Sequence, residues 1–380
     1  MELGCKTGMK SEATLSERSA AVPDSGFAAA YRVIDDAIAA RAFPGCAFGV
    51  LAGGKVVLED SRGRFTYDEG APAVTAETIF DVASITKVVS TTSLAMLLNQ
   101  RGLLDLDTPL GEVLPGFVVG RVNGARARKV TLRHLLAHSS GLPGTVQFFK
   151  TETTPAGLFR ACLEVPLEAE PGTRAEYSDP GFILLGKALE VLTREPLDTW
   201  AKREIFEPLG MTLTGFQPPL SARAFIPPTE EDTALRHRRI QGEVQDENAW
   251  VLKGVAGHAG LFSNVTDLLR FAGEFLECGR AKTKAGLFAP ETIARFAQRQ
   301  GPEGSSRALG WDTPSENSTS GRHFSPHSIG HLGFSGCSLW IDLDAEVAVA
   351  MLTNRTWPDR QTRLIREVWP AFHDKIREAL

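Results

Sequence analysis

The sequence predicts an α+β fold, an α/β sandwich in which one antiparallel sheet is assembled from both ends of the chain and flanked by helices, with a helical region inserted between. Three observations predict it. Strand patterns cluster near both termini, helical periodicity dominates the middle, and each end of the chain also carries an amphipathic helix.

Residues 1–25 are rich in Ser, Ala and Glu and are expected to be disordered. Residues 26–41 then read as a helix, with Phe27, Tyr31, Ile34 and Ile38 on its apolar face. Residues 46–51 and 55–59, separated by Gly53-Gly54, carry the signature of a hairpin closed by a two-residue turn. From about residue 100 to 255 the patterns are mainly helical, including 131–138, 181–193 and 196–206, with a Pro-rich surface excursion over 218–228. A second strand pair over 338–343 and 346–352, joined by Asp344-Ala345, precedes a helix over 361–379 that Pro370 breaks or kinks. Residues 26–380 are therefore read as one domain, with 26–100 and 256–380 bearing the sheet and about 101–255 forming the helical region.

Composition narrows the partners. At 380 residues and 43% hydrophobic the chain can bury a large core. A net charge of -5 with dispersed basic residues excludes a nucleic-acid footprint and a polybasic membrane patch, which leaves a small molecule or peptide as the expected partner. The five cysteines are odd in number, widely spaced and without a C-x-x-C pair, so neither a disulfide framework nor a zinc site is signalled. No stretch reaches the roughly eighteen apolar residues of a membrane span, and residues 1–25 lack the apolar core of a secretory signal, so the expected location is cytoplasmic. Leu3-Gly4-Cys5 would suit a lipoprotein cleavage site only behind a longer leader, in which case the protein would be exported or lipid-anchored.

The chemistry centres on Ser84-Ile85-Thr86-Lys87. Residues three apart on a helix share a face, so Lys87 can approach the Ser84 hydroxyl and help it lose its proton. The apolar run over 88–98 suits a buried helix with Ser84 near its N-terminus, where free backbone N–H groups can meet an oxyanion. Three further segments are candidate partners. Glu176-Tyr177-Ser178-Asp179-Pro180-Gly181 places a phenol and a carboxylate just before a helix, and a tyrosine beside a cationic lysine is expected to have its pKa lowered and to shuttle protons. Gly330-His331-Leu332-Gly333-Phe334-Ser335-Gly336 can form an edge beside Ser84 that donates a backbone N–H. Gly254-Val255-Ala256-Gly257-His258-Ala259-Gly260 is read as close packing beneath the site.

Rival chemistries find less support. No Gly-x-Ser-x-Gly occurs, so the nucleophile elbow of α/β-hydrolases is absent. His134/His138 and His323/His327/His331 recur at four-residue spacing, but the second set lies in Gly/Pro/Ser-rich sequence and the first lacks a zinc peptidase's glutamate. No metal and no cofactor is expected.

Taken together, Ser-Ile-Thr-Lys, Tyr-Ser-Asp and His-Leu-Gly, in this order and with these gaps, resemble the serine β-lactamase and low-molecular-weight penicillin-binding protein superfamily, in its class C β-lactamase-like branch. Residues 130–143, 254–263 and 309–311 also look like segments of that branch, so the resemblance covers about residues 27 to 370. It implies a β-lactamase/transpeptidase-like fold, a nucleophile at Ser84, a base at Lys87 and a proton-shuttling hydroxyl at Tyr177. It also implies an oxyanion hole from the backbone N–H groups of Ser84 and Phe334, and a substrate-binding or polarising role for His331, with Asp179, Gly333 and Ser335 supporting the site.

The chain departs from that pattern at two positions. Asp179 stands where an asparagine is usual, which replaces an amide donor by a carboxylate able to pair with Lys87. His331 replaces a lysine, and a largely neutral imidazole grips a β-lactam carboxylate less firmly than an ammonium does. Weak β-lactamase activity is therefore expected, and a small-ester serine hydrolase is the leading reading. A D-alanyl-D-alanine carboxypeptidase-like enzyme is the alternative, and a non-catalytic scaffold of the same fold is the reading from another class. Residues 242–249 resemble a subgroup of penicillin-binding-protein-like hydrolases and esterases, and Asp246 and Glu247 are read there as parts of a loop network bracing the site. Acyl group, leaving group and oligomeric state reside in loop and surface geometry that the sequence does not specify.

Overall fold

The computed structural model describes residues 26–121, 124–280 and 286–380, so the segment 1–25 expected to be disordered lies outside the described residues. The main sheet has five antiparallel strands: β1 (Gly45–Ala52), β2 (Lys55–Gly63), β8 (Ile329–Leu332), β9 (Ser338–Asp342) and β10 (Val347–Thr353), with two short sheets built from β3 to β7 described below. Their order is β2-β1-β10-β9-β8, which joins the two ends of the chain where β1 pairs with β10, from Cys46 opposite Thr353 to Ala52 opposite Val347. The β1–β2 turn uses Gly53 and Gly54 at φ 56° and 77°, the left-handed region that this hairpin requires.

Period-two alternation sorts the strands' side chains onto two buried faces. Cys46, Phe48 and Val50 of β1, Trp340 of β9, and Val349 and Met351 of β10 pack beneath the first and last helices of the chain, Ala28–Ala39 and Ile365–Glu378. Ala47 and Leu51, Leu339 and Ile341, and Ala348, Ala350 and Leu352 face the opposite way into the larger core, where the helix Val265–Arg280 covers them. Phe48 lies at the centre of the first face, edge-on to Tyr31 and to Phe372 at 5.5 Å between ring centres in each case. The last helix begins at Ile365 rather than at 361, and it runs on through Pro370.

Between the ends lie the helices expected from the sequence, among them Leu132–Leu136, Asp179–Thr193 and Leu197–Ala201. The region also contains short strands that the sequence reading left as helix or loop. β4 (Gly215–Phe216), β5 (Glu230–Asp232) and β6 (Arg238–Ile240) have two or three residues each, too few for alternation to declare itself. β3 (Phe80–Asp81) and β7 (Leu261–Ser263) pair antiparallel, Phe80 opposite Ser263 and Asp81 opposite Phe262, and β3 runs directly into the segment that bears Ser84.

Phe48→Ala is expected to lower the unfolding free energy by about 3–5 kcal/mol, because truncation opens a cavity between the sheet and both terminal helices. Denaturant unfolding of the two proteins, read by fluorescence, checks it.

Candidate active site

Ser84 sits in a single 3-10 turn, Ala83–Ile85, at the end of β3. The turn is held from below: Val82 N–H donates to the Leu261 carbonyl at 3.1 Å, Ala83 N–H to Asp81 Oδ1 at 2.8 Å, and Thr86 Oγ1 to the Ala83 carbonyl at 2.6 Å. Ala83 adopts φ 47°, a left-handed conformation that costs a residue with a Cβ about 1–2 kcal/mol and turns the next residue out of the strand line. Ser84 is accordingly half-buried among neighbours that are buried. The chain beyond it is not one regular α-helix, as the apolar run suggested. It widens into π-helical turns over Lys87–Thr92 and then becomes α-helical over Ser93–Gln100, and such widened turns are common where a side chain is redirected toward a site.

Lys87 has no solvent exposure. Its ammonium donates to Ser84 Oγ at 3.0 Å, to Asp179 Oδ1 at 2.8 Å and to the His258 carbonyl at 3.0 Å, so all three N–H groups are engaged. Burial is the largest single influence and opposes its charge, but the Asp179 carboxylate and Tyr177 together outweigh it, and the net effect raises the Lys87 pKa above its ordinary value. Asp179 Oδ2 also accepts from Thr145 Oγ1 at 3.3 Å.

Tyr177 lies over Lys87, with Nζ 4.8 Å from the ring centre and its hydroxyl against Ser84 and Lys87. The expected lowering of its pKa is corrected here. Desolvation, joined by the Asp179 carboxylate, raises the phenol by more than Lys87 and Ser84 lower it, so Tyr177 rests as a neutral proton donor. The turn that carries it is fixed by His138, whose Nδ1 accepts from Ser178 N–H at 3.0 Å while its ring packs 4.6 Å from that of Tyr177. Ser178 caps the helix Asp179–Thr193 by accepting from Gly181 N–H at 3.1 Å. His138 is a positioning residue, to which the sequence assigns no role beyond a possible metal spacing and a place in the family-like segment 130–143. Its φ of 53° and its contact with residues forty positions on leave no local signal.

The third segment arrives as β8, at the edge of the sheet. Gly333 must be glycine, because a Cβ there would stand 2.5 Å from the Val82 carbonyl oxygen. That close approach brings the turn bearing Phe334 beside the turn bearing Ser84. Ser335 is buried and donates through Oγ to the Asp81 carbonyl at 2.7 Å, tying the two turns together, so its place is structural support. Phe334 is 49% exposed. His331 is buried and donates from Nδ1 to the Leu332 carbonyl at 2.8 Å, and burial, with Lys87 and Arg307 nearby, holds its pKa down at about 3. Its Nε2 is then an acceptor without a partner among the described residues. A neutral ring presenting a lone pair can accept from a substrate N–H or O–H but carries no charge with which to grip a carboxylate.

Beneath the site, Asp246 Oδ1 contacts His258 Nε2 at 2.9 Å and caps the helix Glu247–Val251 through Ala249 N–H at 2.7 Å. Burial opposes the Asp246 charge, but His258, the Ala249 N–H and Lys87 hold its pKa down at about 2. Glu247 pairs with Arg360, which also pairs with Glu230. Gly257 packs against Gly186 so closely that a Cβ would overlap the Phe182 carbonyl, and its own carbonyl accepts from Thr91 Oγ1 at 2.7 Å. The other histidines of the two four-residue spacings do not converge: His134 closes the N-terminal cap of its own helix, His323 lies 3.7 Å from Glu378, and His327 lies 2.9 Å from Asp344.

Comparison with known proteins gives four findings. A sequence model of the Beta-lactamase family matches residues 31–369. An N-acetylmuramyl-L-alanine amidase of Bacillus subtilis (strain 168) is 31% identical over 83% of this chain and 78% of its own length. The crystal structure of a penicillin-binding protein homologue from Caulobacter crescentus superposes with TM-score 0.74 at 20% identity, covering 94% of this chain and 98% of that one. EstCE1, a hydrolase with promiscuous acyltransferase activity, superposes with TM-score 0.70 at 22% identity over 91% and 98%. At these identities the two structural likenesses speak to the fold alone.

Because the Asp246 pKa is depressed, its contribution to stability is full above the unfolded value near 4 and is lost as the pH falls through about 2. Asp246→Asn is therefore expected to be less stable than the wild type at neutral pH, with the deficit shrinking as the pH is lowered toward 2. Urea unfolding of both proteins at several pH values checks it.

Proposed function

The chain belongs to the β-lactamase family of serine hydrolases, and from that premise we propose that it hydrolyses small esters through an acyl-enzyme on Ser84. The observation that carries this reading is the single ammonium of Lys87 bridging Ser84 Oγ and Asp179 Oδ1 beneath the Tyr177 hydroxyl. Nucleophile, base and acid are thereby within one hydrogen-bonded group.

In the competent form Lys87 is neutral. Ser84 Oγ forms a bond to the carbonyl carbon while its proton passes to Lys87 Nζ. The carbonyl oxygen becomes an oxyanion between the backbone N–H groups of Ser84 and Phe334, the first belonging to a helical turn that offers it no acceptor. Tyr177, a neutral phenol, then protonates the leaving oxygen as the carbon–oxygen bond breaks, and Lys87 returns its proton to the Tyr177 oxygen. Water adds to the acyl carbon by the same route, and the product acid leaves with Ser84 restored. The carboxylate at 179 and the neutral His331 both disfavour an anionic β-lactam, so cephalosporin turnover is slow under this reading.

Purified wild type is expected to hydrolyse a short-chain p-nitrophenyl ester, and Ser84→Ala to lose at least about a thousandfold of that rate. Intact mass of the wild type after brief exposure would show one acyl group on the peptide containing Ser84. An unchanged rate in Ser84→Ala would remove this reading.

Asp179 raises the Lys87 pKa, so kcat/KM is expected to climb with pH as neutral Lys87 becomes available. Asp179→Asn removes the anion that favours the ammonium, and the rising limb of the kcat/KM profile should move to lower pH. The pH profiles of both proteins on the same ester check the sign.

A further inference from the structure

Asp81 is buried at the end of β3, and both its carboxylate oxygens and its carbonyl accept hydrogen bonds. Oδ1 takes the Ala83 N–H at 2.8 Å, Oδ2 takes the Gln245 N–H at 2.7 Å, and the carbonyl takes Ser335 Oγ at 2.7 Å. One residue thus reaches the turn that bears Ser84, the turn that bears Phe334 and the loop 242–249.

The loop end of this link is firmly anchored. Gln245 is buried, its Oε1 accepts from Thr356 Oγ1 at 3.2 Å, its Nε2 donates to Glu230 Oε2 at 2.9 Å, and its carbonyl accepts from Arg236 Nη2 at 2.7 Å. Arg236 is itself paired with Asp232 at 2.8 Å. The other end holds Ala83, whose φ of 47° is a conformation that a residue with a Cβ keeps only under constraint. A carboxylate on its N–H is a charge-assisted hydrogen bond, stronger than a neutral one, and supplies that constraint.

The charge is costly to keep. Burial pushes the Asp81 carboxyl up to about 6; the Gln245 and Ala83 N–H groups and Arg236 favour the anion, and Asp246 opposes it. A folded pKa above the unfolded value near 4 means that the anion lowers stability at neutral pH. Packing alone would be better served by an uncharged side chain, so the anion points to a task in the site.

We infer that Asp81 is a positioning residue, whose carboxylate fixes the Ala83–Ser84 peptide so that the Ser84 N–H faces the oxyanion. Freed from Oδ1, Ala83 relaxes toward the right-handed region and the peptide plane turns, while the Phe334 turn stays tied to the Asp81 carbonyl through Ser335. Asp81 acts through this peptide and not on the substrate. The inference rests on the acyl-enzyme reading above and assigns what orients one donor of its oxyanion hole.

The test compares p-nitrophenyl acetate with its thiono counterpart, in which sulfur replaces the carbonyl oxygen, using purified full-length protein. Sulfur accepts hydrogen bonds weakly, so the oxo-to-thiono ratio of kcat/KM, each value divided by the alkaline hydrolysis rate of that ester, reports the oxyanion hole. The wild type is expected to favour the oxo ester by at least about a hundredfold. In Asp81→Asn, whichever way the amide turns, one backbone N–H meets a second donor, and the ratio should contract by about tenfold or more, through kcat rather than KM. Asp81→Glu, which keeps the charge but displaces it by a methylene, takes its place if the asparagine variant does not fold. The wild-type ratio should also contract as the pH falls from 7 to 5 and Asp81 takes up a proton. Protonation of Lys87 slows both esters and cancels in the ratio, and Asp246 and the Arg236 guanidinium keep their charges over this range. His258, bonded to Asp246, is common to wild type and variant, so Asp81→Asn, in which this pH dependence should vanish, separates the two groups.

Equal losses on both esters in the variant, or a wild-type ratio that is near one or does not change with pH, overturn the inference and leave ester hydrolysis standing. Failure of the wild type to turn over either ester removes the acyl-enzyme reading, and the inference with it.

Discussion

Burying an ammonium with no solvent exposure is costly, by several kcal/mol after relaxation, unless every N–H finds an acceptor and an anion lies close by. Lys87 meets that condition with one acceptor from its own helical turn, one from the start of the helix Asp179–Thr193 and one from the carbonyl of His258. Three segments distant in sequence are thereby obliged to meet at one atom. Much of the site's architecture serves this meeting. The Gly186 and Gly257 backbones touch so that His258 can come within reach, His138 fixes the turn that leads into Asp179, and the left-handed Ala83 aims Ser84 at the same nitrogen.

The ion pair with Asp179 has a chemical consequence. It stabilises the form of Lys87 that donates to Ser84 Oγ over the form that accepts its proton. Tyr177 is set the opposite way, since burial keeps its proton on. The resting site therefore holds its nucleophile hydrogen-bonded to an ammonium and its acid protonated, and catalysis draws on the fraction in which Lys87 is neutral. His331 belongs to the same balance. Burial, with Lys87 and Arg307 close by, favours its neutral imidazole.

The sheet supplies the rigid frame. β1 and β10 join the chain ends at its centre, and the two faces are buried by alternating side chains of the same strands. An edge strand is often a liability, yet here the edge position of β8 is what allows the following turn to face Ser84 rather than another strand. Ser335 Oγ, bonded to the Asp81 carbonyl, and Gly333, pressed on Val82, then make the separation of the Phe334 and Ser84 turns a property of the frame.

Much was legible in the sequence wherever the relevant physics is local. The Gly53-Gly54 turn, the period-two strands at both ends, the helical repeat of 26–41 and the three-residue spacing of Ser84 and Lys87 depend on neighbours within a turn or a strand, and local order carries them. The triplets also identified which side chains belong together. What tertiary structure alone decided are the quantities set by distant partners: the direction of the Lys87 and Tyr177 shifts, the tautomer of His331, and the bracing by His138 and Asp246. Short strands such as β3 and β7 were illegible for a related reason, since two or three residues encode no period and exist through their pairing. Protonation and hydrogen bonding depend on how much water is excluded and which charges remain within a few ångströms, and both are fixed only when remote segments pack.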